Sequence, residues 1–174
     1  MIGMVGITMH TSVSLLMDDL PSMLFLYIAL GFVGMEILSY VVHRYLFHGW
    51  LWKIHKTHHE ASHGIFQWND LFSLFFAGMA IFLIIRGADQ PWTDPGFGIG
   101  VGITIYGILY FIIHDLFTHR RFLPFSSDNR VMRLIRRAHQ RHHQTIDHGG
   151  HEPYGLFLFP YSKYQKDNRK KEQQ

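Results

Sequence analysis

Two five-residue stretches, His55-Lys56-Thr57-His58-His59 and His139-Gln140-Arg141-His142-His143, each carry imidazoles at positions i, i+3 and i+4. Residues so spaced share one face of a helix, so His55, His58 and His59 can aim at one point, as can His139, His142 and His143. A wider pair precedes each stretch, His43 with His48 and His114 with His119. Five residues of α-helix at about 100° each leave such a pair roughly 140° apart. These pairs therefore need a helix end, a local distortion or two different metal ions. Neutral imidazole binds iron, zinc, copper and nickel alike. Ten such ligands exceed the roughly four to six that one ion takes, so the pattern argues for a two-metal site. Of the fourteen histidines, His10 and His63 fall outside the repeat and read as ordinary core or surface residues, while His148 and His151 read as surface residues or as additional ligands, the surface being favoured.

The elements that must position these groups are apolar. The chain has 174 residues and no cysteine, which excludes disulfides, thiolate zinc sites, chain-held iron–sulfur clusters and cysteine nucleophiles. Residues 1–22 are mildly apolar, lack Lys and Arg, and read as a leader or interfacial segment. Met23 to Val42 then forms a block whose one charge is Glu36, long enough as a helix to cross a bilayer. Two further blocks, Leu71 to Ile85 and Gly96 to Ile113, follow. The first block leads into His43, the second leaves from that side and the third returns to His114, so both histidine groups meet on one membrane face. Fifteen of the sixteen Lys and Arg flank the histidines, and Arg86 lies at the opposite end. The positive-inside rule then puts the histidines in the cytoplasm, with a bacterial inner membrane the expected location. The fold expected is an all-α integral membrane bundle of about three to four transmembrane helices under a cytoplasmic, histidine-rich helical cap.

The Gly98–Gly102 spacing in the third block suits close helix packing, or room beside a bulky ligand. Residues 128–143 read as an amphipathic helix with Asp128 as N-cap, an apolar stripe of Val131, Leu134, Ile135 and Ala138, and five arginines elsewhere. Those arginines suit anionic lipid or an acidic redox partner, and no nucleic-acid partner is expected. Residues 161–174 read as a charged, disordered tail. Glu36 lies seven residues before His43, on nearly the same helix face, and is a candidate to accept a hydrogen bond from a ligand histidine. Asp115, Glu60, Asn69 and Asp70 are candidates for orienting imidazoles.

The run GMEILSYVVHRYLFHGWLWKIHKTHHE from Gly34, HDLFTHRRF from His114 and AHQRHHQ from Ala138 together resemble the bacterial beta-carotene 3-hydroxylase family, within the fatty acid hydroxylase and sterol desaturase superfamily. The four histidine motifs stand in that family's order, and the resemblance spans residues 23–160, which makes that stretch the hydroxylase domain. Only the segment after His143, with His148 and His151, departs from it. The resemblance implies a non-haem di-iron monooxygenase with His43, His48, His55, His58, His59, His114, His119, His139, His142 and His143 as ligands to two iron ions. It implies O₂ as co-substrate, electrons from reduced ferredoxin and its NAD(P)H reductase, and a carotenoid substrate held in the bilayer. The reaction implied is hydroxylation of the beta-ionone ring at carbon 3, taking beta-carotene through beta-cryptoxanthin to zeaxanthin. The residues alone also admit a hydroxylase or desaturase of another lipid, fatty acyl or sterol, or a membrane metal-binding or transport protein, and they do not separate iron from zinc.

Overall fold

Three apolar helices organise the chain. In the computed structural model, residues 3–60, 66–144 and 148–164 are described, with side chains from residue 21 onward. Helix α1 (Gly3–Val41) passes into a π-helical segment, Val42–Trp50, and a sharp bend at Gly49 leads to the short α2 (Trp52–His59). Helix α3 (Asp70–Gly87) runs away from the histidines and α4 (Pro95–Tyr110) returns, passing into a second π-helical segment, Phe111–Thr118. Helix α5 (Arg130–His143) closes the cap, and no strand occurs among the described residues. Segments Pro21–Trp50, Asp70–Gly87 and Pro95–Thr118 are long and apolar enough to cross a membrane. Their outward side chains, such as Phe75 (65% exposed), Phe82 (64%) and Ile85 (70%), are large and apolar, as lipid contact requires. The expected membrane helical bundle is the architecture found.

Small residues let these helices touch. A Cβ at Gly102 would collide with the Ile28 carbonyl, one at Gly31 with the Ile99 carbonyl, and one at Gly98 would lie 2.5 Å from Tyr27 Cβ. These contacts join α1 and α4. Gly100 faces the other way, where a Cβ would lie 2.9 Å from the Ala80 carbonyl oxygen of α3. Close packing is thus the role of this run, since without a hydrophobic drive between helices in lipid their association rests on such contacts. Gly102→Ala is expected to lower stability in detergent by about 1–3 kcal/mol. Gly34→Ala, where a Cβ meets nothing within 4 Å, should not; thermal unfolding of the two side by side checks this.

Three expectations need correction. The boundary at residue 22 is not a break, because α1 continues through Asp18, Asp19 and Pro21. The cap of α5 is Asn129, whose Oδ1 accepts from the N–H groups of Val131 and Met132, while Asp128 pairs with Arg133 at 3.3 Å. Leu134, Ile135 and Ala138 of its stripe are buried, but Val131 is 55% exposed. Residues 161–164 are not part of a disordered tail. They form a helical turn, and buried Tyr164 packs on Leu134 and Ala138 and donates its hydroxyl to the Glu152 carbonyl at 2.6 Å. Residues 165–174 lie outside the described residues, as does His63.

Candidate metal centre

The wider histidine pairs sit in the two π-helical segments, and that is how they face one way. An i→i+5 hydrogen bond closes one π turn, so side chains five apart return to nearly the same face. The Leu51 N–H donates to the Leu46 carbonyl at 2.8 Å and the His119 N–H to the His114 carbonyl at 2.9 Å. The rings of His43 and His48 then lie 5.2 Å apart between centroids, and those of His114 and His119 4.5 Å. Of the three ways to reconcile the spacing, local distortion is the one the chain uses.

The imidazoles form two adjacent groups. His43, His48, His55, His59 and His142 make the first, and His58, His119, His139 and His143 the second, each with one nitrogen per ring all within 4.8 Å of one another. In the first, His55 Nε2 lies 3.0 Å from His43 Nε2 and 3.1 Å from His59 Nε2, and His48 Nε2 lies 3.2 Å from His142 Nε2. In the second, His119 Nε2 and His139 Nε2 are 2.9 Å apart. Metal–nitrogen bonds of 2.0–2.1 Å place neighbouring ligand atoms about 2.9–3.4 Å from one another.

The triplets do not converge as expected. In each, the i and i+4 rings serve one group and the i+3 ring crosses to the other: His58 leaves His55 and His59, and His142 leaves His139 and His143. Positions i+3 and i+4 of a helix diverge by about 100°, so two ions side by side suit this triplet better than one. Nine of the ten expected ligands are thus gathered. The tenth, His114, flanks the second group, its ring stacked 5.2 Å from His58 and 4.4 Å from Tyr110.

Several rings have their outer nitrogen held by an oxygen. The Nδ1 of His43 lies 2.8 Å from the Tyr154 carbonyl oxygen, that of His55 3.1 Å from Asn69 Oδ1, and that of His58 2.7 Å from Gln67 Oε1. His142 Nδ1 bonds the His151 carbonyl. An acceptor at Nδ1 keeps the proton there and turns the Nε2 lone pair inward. His58 Nε2 and His143 Nε2 are buried with no hydrogen-bond partner among the described residues, a costly state for two polar atoms unless they coordinate. The donor set, its spacing and these two nitrogens fit a pair of metal ions.

Among the orienting candidates, Asn69 holds His55, and Asp115 Oδ1 lies 3.4 Å from His114 Nδ1. Asp70 works at one remove: it pairs in fork geometry with Arg121 (2.7 and 2.9 Å) and accepts from the Gln67 N–H, bracing the residue that holds His58. Glu60 forms an exposed pair with Lys56 and touches no imidazole among the described residues. Glu36 is placed otherwise than expected, for its Oε1 accepts from the backbone N–H groups of Phe157 and Leu158 (2.8 and 2.7 Å) instead of from an imidazole. His148 and His151 have exposed side chains, and His151 contributes through its backbone. Gln67 was not singled out from sequence, and the strap of residues 149–158 stood out only as a departure from the family pattern; it acts through carbonyls, which side-chain identity does not reveal.

Burial, reinforced by neighbouring imidazoles, pushes the ring pKa of His55 down to about 2 and those of His58 and His142 down to about 3. His119, His139 and His143 are lowered for the same reason. All are neutral at pH 7, the form in which imidazole can coordinate a metal. Below an ordinary histidine pKa of about 6.5 the unfolded chain binds protons that the folded cluster refuses, so stability rises with pH across that window. Metal-free protein should therefore lose melting temperature steadily from about pH 6.5 downward and change little above pH 7.5, which a pH series of unfolding curves checks.

A cavity of about 690 Å³ reaches these groups from the membrane. His43, His55, His58 and His114 line its upper end, and Ala80, Ile81, Ile103 and Thr104 lie about 15 Å lower along the helices.

Comparison with known proteins agrees with this site. The fatty acid hydroxylase family profile matches residues 28–162. The chain is similar to the beta-carotene hydroxylase of Pantoea ananas, with 38% identity over 80% of this chain and 79% of that one. It is also similar to the beta-carotene hydroxylase of Pseudescherichia vulneris, with 39% identity over 75% and 74%. Beta-carotene 3-hydroxylase 1 of Arabidopsis thaliana, a chloroplast protein, is 42% identical over 74% of this chain and 42% of its own. No solved structure matches. By the extent and identity of these matches, the chain belongs to the fatty acid hydroxylase family, on the branch of the bacterial and plant beta-carotene hydroxylases, and is a membrane oxygenase.

Proposed function

We propose that the protein hydroxylates the beta-ionone ring of carotenoids at carbon 3, converting beta-carotene through beta-cryptoxanthin to zeaxanthin, with O₂ as co-substrate. The observation that carries this reading is the meeting of two imidazole clusters with an apolar cleft that descends into the membrane. Breaking an unactivated C–H bond is beyond side-chain acid–base chemistry; two iron ions bound at these clusters would supply the O₂ activation it requires. His43, His48, His55, His59 and His142 would hold one ion, and His58, His119, His139 and His143 the other, with His114 beside the second.

The chain's own part is positioning. The carbonyls of Tyr154 and His151 and the amides of Asn69 and Gln67 keep each proton on Nδ1. The apolar walls of the cleft bind the polyene and exclude water, so one ring end is presented to the clusters while the rest of the molecule stays in lipid. Arg130, Arg133, Arg137 and Arg141 lie on the exposed side of α5, whose buried side carries His139 and His142. This basic surface over the site suits an acidic electron donor, reduced ferredoxin with its NAD(P)H reductase, and also the lipid headgroups at its edge. The concentration of Lys and Arg at this end supports a cytoplasmic face of the bacterial inner membrane.

The test is pigment analysis of beta-carotene-producing bacteria that express the chain, with an inactive histidine variant as control. Zeaxanthin should replace beta-carotene only in cells with the intact protein. Unchanged beta-carotene, with the protein in the membrane and iron bound, would assign the site to another lipid.

A further inference from the structure

The glycines of α4 divide by what surrounds them. Gly98, Gly100 and Gly102 are pressed against α1 or α3, where a Cβ has no room. Gly107 is exposed and lines the cleft, and a Cβ there would meet nothing within 4 Å among the described residues. Helical glycine is unfavourable relative to alanine, and here no helix contact requires it. The space it leaves belongs to the cavity.

Its height in the cleft says what occupies that space. Helices α3 and α4 are closed on each other at Gly100 and Ala80, and buried Ile103 lies just above. Above that point residues of both helices line the cavity, and the antiparallel register sets Gly107 about level with Ser73, which also lines it. Gly107 precedes His114 by seven residues, about 10 Å along the helix. A ring held against the histidines ends above this level, so what passes Gly107 is the chain behind the ring.

We propose that Gly107 is a specificity-determining residue: its missing side chain leaves the passage for the methyl-branched polyene behind the reacting ring. This rests on the carotenoid reading of the site. A side chain here narrows the cleft from α4 without touching an imidazole or a helix contact, and so selects by the tail of the substrate and not by its ring.

The experiment compares Gly107→Ala, Gly107→Leu and Gly107→Phe with the wild type, and uses Gly78→Phe as control. Gly78 is likewise free of contacts within 4 Å but does not line the cavity. On beta-carotene in detergent micelles, kcat/KM should fall in order of added volume, by roughly 10- to 200-fold for Phe and chiefly through KM. Iron per chain should stay at the wild-type level in every variant. Beta-ionone, the same ring with a tail too short to pass Gly107, should be turned over by Gly107→Phe as by wild type. Equal losses with Gly107→Phe and Gly78→Phe, or no loss in the volume series, would overturn the proposal. So would an equal loss on both substrates. A wild type that hydroxylates neither ring would instead overturn the carotenoid reading.

Discussion

His142→Ala should abolish ring hydroxylation, with a loss of more than about 100-fold, and should empty one metal position while leaving the other largely filled. His142 is 0% exposed and belongs to the first imidazole group, although the second triplet carries it. Its ring lies 4.7 Å from that of His43, 4.8 Å from His59 and 4.9 Å from His48. Removing it takes away a ligand, opens a hole at the centre of the cap and leaves the His151 carbonyl without its donor. The crossed arrangement makes the prediction specific. On the proposed assignment, loss of His142 should release the ion that His43, His48, His55 and His59 would hold, whereas His58→Ala should release the one that His119, His139 and His143 would hold. Iron per chain, measured with product formation in the two variants, checks both halves. If either variant keeps full activity, or both lose the same ion, the two-group assignment is wrong.

How far the sequence discloses this site depends on the kind of constraint. Periodicity and charge placed three apolar helices and brought both histidine groups to one end, because burial in lipid and the positive flank are properties of local composition. The same spacing argument failed on sharing within His55-Lys-Thr-His58-His59. A shared helix face permits convergence but does not demand it, and the i+3 ring turns to the neighbouring imidazole group. The five-residue spacing of His43 with His48 and of His114 with His119 did contain its answer, since i,i+5 is the period of a π turn. Glu36 shows the opposite case. Its place inside an apolar span marks it as held by a partner, but the partners are backbone N–H groups 121 and 122 residues away. Any side chain at 157 and 158 would supply them, so no residue type in the chain announces the contact. The same holds for the Tyr154 and His151 carbonyls.

Glu36→Leu should cost roughly 10- to 100-fold in metal affinity or turnover, although Glu36 touches no histidine. The carboxylate is 4% exposed and fastens the strap at Phe157 and Leu158. A Cβ at Gly155 would come within 2.5 Å of Glu36 Oε1, so the strap backbone lies directly on it. Above that anchor, Tyr154 donates its hydroxyl to the Gly149 carbonyl, and Glu152 accepts from Tyr40 at 2.7 Å and pairs with Arg44 at 3.3 Å. The strap delivers the two carbonyls that hold the Nδ1 protons of His43 and His142, both in the first group. Leucine leaves two part-buried N–H groups without their acceptor and frees the strap to shift. An ion in the first group should then bind more weakly, while one that His58, His119, His139 and His143 would hold is kept. Glu36→Gln retains a carbonyl oxygen for the same two donors and should restore iron content and kcat to within a few-fold of wild type. If Gln is as damaging as Leu, Glu36 acts through its charge; if both variants lose iron equally from the two positions, the strap does not serve the first group in particular.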